Sequence, residues 1–170
     1  MTPERIGITG HRWNRLRRSA EAEIVAALAV AFAQIDARDV SRPRLLVSGM
    51  AEGTDLLAAR HRPASWSLEA VLPLPVDAWR AFVAEQEGVT AADIGRFDAQ
   101  LAQASTLVLP SIDDAPDFDG LARHIAKTCH RLIAVWDGTA GQPGGTGTVV
   151  SLARARGVPV HVIGAGDWMR

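Results

Sequence analysis

Apolar residues fall in short continuous runs separated by stretches with helical spacing. Arg5 to Thr9, Leu45 to Ser48, Leu68 to Leu72, Thr106 to Leu109, Leu132 to Trp136 and Val158 to Ile163 read as strands. Runs that stay apolar at successive positions are expected where helices cover both faces of a sheet. A helix is predicted from Ser19, as N-cap, to Ala37, with Glu21 and Glu23 near its positive end and Ile24, Leu28, Phe32 and Ile35 on one face. Further helices are predicted over Gly53 to Arg60, from an Asp77 cap through Trp79, Phe82 and Val83, over Thr90 to Ala104 with Thr90 as cap, over Asp119 to His130, and over Thr148 to Arg156. This alternation predicts the α/β class: a Rossmann-like three-layer αβα sandwich on a mainly parallel sheet of about six or seven strands. No repeat, low-complexity tract or long linker divides the chain, so residues 1–170 read as one domain. The loosest stretches are Ser111 to Asp117 and Asp137 to Gly145.

Composition narrows the function classes. Hydrophobic residues make up 48% of the chain, charged residues 22%, and the formal net charge is -1. That balance is globular, with no global attraction to nucleic acid or an anionic membrane. Met1 to Thr9 lacks the basic-then-apolar order of a signal peptide. The longest apolar run, Ile24 to Ala33, is too short to cross a bilayer. With Cys129 as the single cysteine, no internal disulfide can form. A cytoplasmic protein is the expectation. The histidines His11, His61, His124, His130 and His161 have no zinc-site spacing, so no metal is expected. Cys129, ahead of a buried strand, reads as a core thiol, and Ser48 lacks a nucleophile elbow.

The candidate chemistry lies in three strand-to-helix turns, which in an open parallel sheet gather at the carboxyl ends of the strands. In Gly7-Ile8-Thr9-Gly10-His11-Arg12, Gly10 allows close backbone approach and Arg12 offers a forked donor to phosphate or carboxylate. In Ser48-Gly49-Met50-Ala51-Glu52-Gly53-Thr54-Asp55, small residues lead into a helix start with free N–H groups. Two readings of Asp55 stand at this stage. It serves the backbone of the first helical turn, or, with Glu52, it holds ribose hydroxyls or works as acid or base. The third turn runs from Asp137 and Gly138 through Gly144, Gly145, Thr146, Gly147 and Thr148. Such glycine density costs chain entropy, and a nest of N–H groups around an anion explains it. It is neither a P-loop nor a dinucleotide fingerprint. Trp136, at a strand end, fits either stacking on a base or the core.

Taken together, the motifs at residues 7–12, 48–55 and 143–148 (Pro-Gly-Gly-Thr-Gly-Thr) resemble the SLOG superfamily, which includes LOG-type phosphoribohydrolases and the DNA-processing protein A domain. Leu132 to Gly138 is similar to a pattern frequent in bacterial members. The resemblance spans nearly the whole chain. It implies a Rossmann-like fold that binds nucleotides or their derivatives, such as AMP or ADP-ribose, with phosphate on Gly144, Gly145, Thr146, Gly147 and Thr148. It also implies pairing as a homodimer. One departure stands out. LOG-type hydrolases and nucleoside deoxyribosyltransferases place a glutamate just beyond this turn, where this chain has Val149, Val150 and Ser151. None of these can stabilise a ribosyl cation or activate water.

The leading expectation is therefore a sensor-type nucleotide-binding domain. The first alternative is a nucleotide N-glycosidase that uses Glu52 or Asp55 in place of the missing glutamate. The second is a single-stranded DNA-binding domain, against which the near-neutral charge and the acidic Glu52 argue.

Overall fold

The computed structural model describes residues 1–170. Six strands form one sheet in the order β4-β3-β2-β1-β5-β6. They are β1 (Glu4–Gly10), β2 (Arg44–Ser48), β3 (Ser67–Leu72), β4 (Ser105–Val108), β5 (Arg131–Trp136) and β6 (Val160–Gly164). Every pairing is parallel, and the central register sets Ile6 against Leu46 and Ile8 against Ile133. The helices are α1 (Glu21–Asp36), α2 (Thr54–His61), α3 (Val76–Ala84), α4 (Ala91–Leu101), α5 (Phe118–Thr128) and α6 (Thr146–Ala155). The α/β Rossmann-like architecture expected from the sequence is present.

Alternate strand residues feed two cores. Ile6, Ile8, Leu46, Leu68 and Ile133 face one layer with Ile24 and Leu28 of α1, Leu57 of α2, Trp79 of α3 and Phe97 of α4. Val47, Val71, Leu132 and Ala134 face the other, against Leu121 and Ile125 of α5 and Val149 and Ala153 of α6. Cys129 is buried in this second core, and desolvation pushes its thiol up. No helix is long and apolar enough to cross a membrane.

Several boundaries differ from the sequence expectation. A short 3-10 turn, Arg18–Ala20, precedes α1, so Ser19 is not its cap and Ala20 takes that position without a side-chain bond. Pro75 rather than Asp77 caps α3, and Asp77 sits in its first turn. For α5 the cap is Asp117, whose carboxylate accepts from the Gly120 N–H at 2.8 Å, and the helix ends at Thr128 rather than His130. β6 starts at Val160, two residues later than its apolar pattern. The α6 helix starts at Thr146, earlier than expected, which places Thr146 and Gly147 in its first turn. Thr90 does cap α4, in a reciprocal pair with Asp93.

Candidate functional site

The strand order reverses between β1 and β5, and a cavity of about 380 Å³ opens there at the carboxyl ends of the strands. A switch point of this kind is where open α/β sheets place ligands, and the volume suits a nucleotide-sized molecule.

The first two turns lock together to form one side. Gly10 ends β1 directly against α2: a Cβ there would lie 2.5 Å from the Thr54 side chain. Thr54 donates to the His11 carbonyl from both its backbone N–H (3.3 Å) and its hydroxyl (2.9 Å). Gly53 has φ 86°, and a Cβ on it would come within 2.8 Å of the Arg12 Cα. Glycine is required there on both counts. Met50 takes a left-handed φ of 58°, held by its N–H donating to the Ser48 Oγ at 3.1 Å, and its side chain enters the core.

The third turn forms the opposite wall. Gly144 packs so tightly on Phe118 that a Cβ would sit 2.7 Å from that residue's backbone. The Gly144 N–H donates to the Thr148 Oγ at 3.1 Å. At Gly147 a Cβ would lie 2.4 Å from the Ala140 carbonyl. The Thr146 and Gly147 amides open α6 and have no backbone acceptor within the helix or outside it. Both residues line the cavity, which puts the start of α6, the positive end of its dipole, at the cavity wall.

Charge is arranged around this helix start. Arg12 and Arg15 both line the cavity. The Arg12 guanidinium lies 5.6 Å from the Phe118 ring centre and 3.5 Å from Glu52. Glu52 is only 1% exposed and neither carboxylate oxygen has a hydrogen-bond donor. Burial pushes its carboxyl up, and Arg12 offsets only part of this. Arg15 pairs with Asp137 at 2.9 Å, and His11 Nε2 lies 2.9 Å from the other Asp137 oxygen. Desolvation drives the Asp137 carboxyl up, but hydrogen bonds from the Thr139 hydroxyl and N–H and from His11 outweigh it and hold Asp137 below the usual carboxylate range. His11 is lowered, mainly by its own burial; Asp137 raises it in part.

Part of the wall is apolar, with Trp79, Phe118 and Leu121 in it, and Asp55 lies close to Leu121 behind Gly49. Asp55 is the one carboxylate that lines the cavity. Desolvation pushes it up to about 7, and the Ala51 backbone N–H opposes this only in part.

Of the residues singled out by sequence, Gly10, His11, Arg12, Asp55, Gly144, Gly145, Thr146 and Gly147 line the cavity. Ser48, Gly49, Met50, Glu52, Gly53, Thr54, Asp137 and Thr148 stand behind it and fix the shape of the turns. Gly138 (φ 88°) is exposed in the loop after β5. Trp136 is also outside: its indole N–H donates to the Thr139 carbonyl, and Arg154 lies over its ring. Sequence reasoning missed Asn14, Arg15, Trp79, Phe118, Leu121 and Gln142, which come from four separate segments. Only Phe118 carried a local signal, an aromatic residue directly after the Asp117 helix cap. No group of three or more His, Cys, Asp or Glu residues is placed to hold a metal.

No protein-family profile matches the chain, and no curated protein matches it in sequence. Among solved structures, the fold is similar to that of the Moco carrier protein from Chlamydomonas reinhardtii, at a TM-score of 0.52 and 16% identity. The match covers 96% of this chain and 77% of that one. Rossmann-like architecture is what the two share.

Proposed function

We propose that this chain binds a nucleotide or nucleotide derivative, with phosphate on the first turn of α6 and the rest of the ligand along the cavity toward Asp55. The observation that carries this reading is the pair of acceptor-free Thr146 and Gly147 amides at a helix start on the wall of an open cavity that Arg12 and Arg15 also line. Phosphate accepts from such amides and gains from the helix dipole, and Arg adds a forked donor set. The motif resemblance to the SLOG superfamily supports the same class. So does the likeness in fold to a protein named as a Moco carrier, since both point to small-molecule binding.

A thermal-shift panel of AMP, GMP, ADP and ADP-ribose, with the matching nucleosides as phosphate-free controls, tests it. Ligand at about 100 times its dissociation constant adds roughly 2.7 kcal/mol, which raises Tm by about 5–10 °C in a chain of this size. Shifts with nucleotides but not nucleosides are expected. Equal behaviour of the two sets, or no shift at millimolar ligand, overturns the reading.

One observation favours a second reading, N-glycosidic cleavage: Asp55, with its raised carboxyl, faces the same cavity. Chromatography of a bound nucleotide after long incubation separates the two. Free base in the eluate supports cleavage, and intact ligand supports the sensor.

A further inference from the structure

Asp55 has no partner that explains its position. Its carboxylate meets the cavity beside Trp79 and Leu121, and the only hydrogen-bonding support it has is the Ala51 backbone. Gly49 makes room for it: a Cβ there would lie 3.2 Å from Asp55 Oδ2 and 2.9 Å from Leu121. Gly49 is in turn fixed by the Trp79 indole N–H, which donates to its carbonyl at 3.1 Å. The charged groups that act on Asp55 are Glu52 and Arg12, and Arg12 is already drawn toward Glu52. A carboxylate on an apolar wall with so few donors is costly unless something else supplies them.

A chain of contacts connects this place with the phosphate turn. Gly144 packs on Phe118, the Phe118 ring lies 6.1 Å from that of Trp79, and Trp79 holds Gly49 against Asp55. Phe118 lines the cavity beside the Gly144 turn, and the wholly buried Trp79 backs both Phe118 and Gly49. A ligand with phosphate on that turn and a flat ring at Asp55 would lie along this wall.

An ionised carboxylate only accepts, and its two oxygens lie side by side. Its complement is a pair of parallel N–H donors. Adenine and cytosine present a ring acceptor next to their amino group, which would face one of the oxygens. Uracil presents one N–H between two carbonyls. A ring N–H next to a 2-amino group meets both oxygens. The geometry points to Asp55 as the base-selecting residue of the cavity, taking the ring N–H and 2-amino group of a 2-amino-oxopyrimidine ring, the edge shared by guanine and the pterins. This inference rests on the nucleotide reading above and adds the ligand class.

Calorimetric titration of the full chain at pH 8 with GMP, AMP, XMP and neopterin monophosphate tests it. GMP or the pterin phosphate should bind at least about 100-fold more tightly than AMP, because a buried group built for two donors rejects a ligand that lacks them. The stronger of the two tells guanine from pterin. GMP affinity should rise with pH through 7, as Asp55 ionises. A protonated Asp55 reading adenine would give the reverse. Asp55→Asn should lose GMP about 100-fold and gain XMP, whose 2-oxo group accepts from the new amide. Asp55→Ser should lose GMP without that gain. AMP bound as tightly as GMP by the wild-type chain, or GMP retained in Asp55→Asn, overturns the inference and leaves the phosphate site standing. If no phosphate-bearing compound binds, the nucleotide reading itself falls, and base selection with it.

Discussion

Asp55→Asn should make the protein more stable at pH 8 and leave it nearly unchanged at pH 4. In the folded chain desolvation raises the Asp55 carboxyl from 3.8 to about 7. At about 1.4 kcal/mol for each tenfold change in proton affinity, that rise corresponds to about 4 kcal/mol. The sign follows from which state binds the proton more tightly. Below about pH 4 Asp55 is protonated whether folded or unfolded, and it costs nothing. Between about 4 and 7 the unfolded chain releases the proton while the folded chain keeps it, so stability falls as pH rises. Above 7 the whole penalty is present. Asparagine is close in shape and never ionises, so it removes the penalty only where it exists. For a chain of 170 residues, about 4 kcal/mol is a Tm gain on the order of 10 °C. Thermal unfolding of both proteins followed by circular dichroism at pH 4 and pH 8 gives the comparison. An equal effect at the two pH values, or a loss of stability at pH 8, would refute the claim that Asp55 is a desolvated carboxylate. A group that lowers stability in this way is the kind retained for ligand binding rather than for the fold.

Three further outcomes follow from the same structure. Gly147→Ala drives a methyl group into the Ala140 carbonyl, 2.4 Å away, so it should displace the first turn of α6 and weaken nucleotide binding at least tenfold, read by calorimetry. Arg44→Met should cost about 3 kcal/mol in a urea titration, because the buried Arg44 closes the α1–β2 connection through the carbonyls of Ile35 (3.0 Å) and Asp39 (2.7 Å) and faces the buried Glu4. Asp137→Asn should lower the His11 titration further, since it removes the groups that partly raise it against burial; NMR of the imidazole protons tests this, and an upward move would contradict the assignment.

The strand runs and the three glycine turns made the architecture legible, because continuous apolar runs and Gly-rich strand ends reflect backbone packing that nothing else in the chain can supply. Helix starts were less legible. Thr146 and Gly147 read as turn ahead of a helix expected from Thr148, yet α6 begins at Thr146, and Gly147 fits its first turn because its missing side chain admits the Ala140 carbonyl. At α1 the Ser19 cap signal lost to a 3-10 turn that buries Ala20. The site was half visible. Gly10, Arg12, Asp55 and the glycine turn announce themselves by residue type. Trp79 does not: it reads as core and is wholly buried, reaching the cavity only as backing for Phe118 and Gly49. Arg15 was invisible for a similar reason. Its partner Asp137 is remote in sequence and reaches it only because β1 and β5 are neighbours.

Amide-detected NMR during titration with GMP and AMP reads the two amides on which the phosphate site stands. Saturable shifts at Thr146 and Gly147 are expected with either nucleotide, and none with the nucleosides. Unmoved Thr146 and Gly147 amides under saturating nucleotide, or shifts confined to another part of the molecule, would contradict the phosphate site.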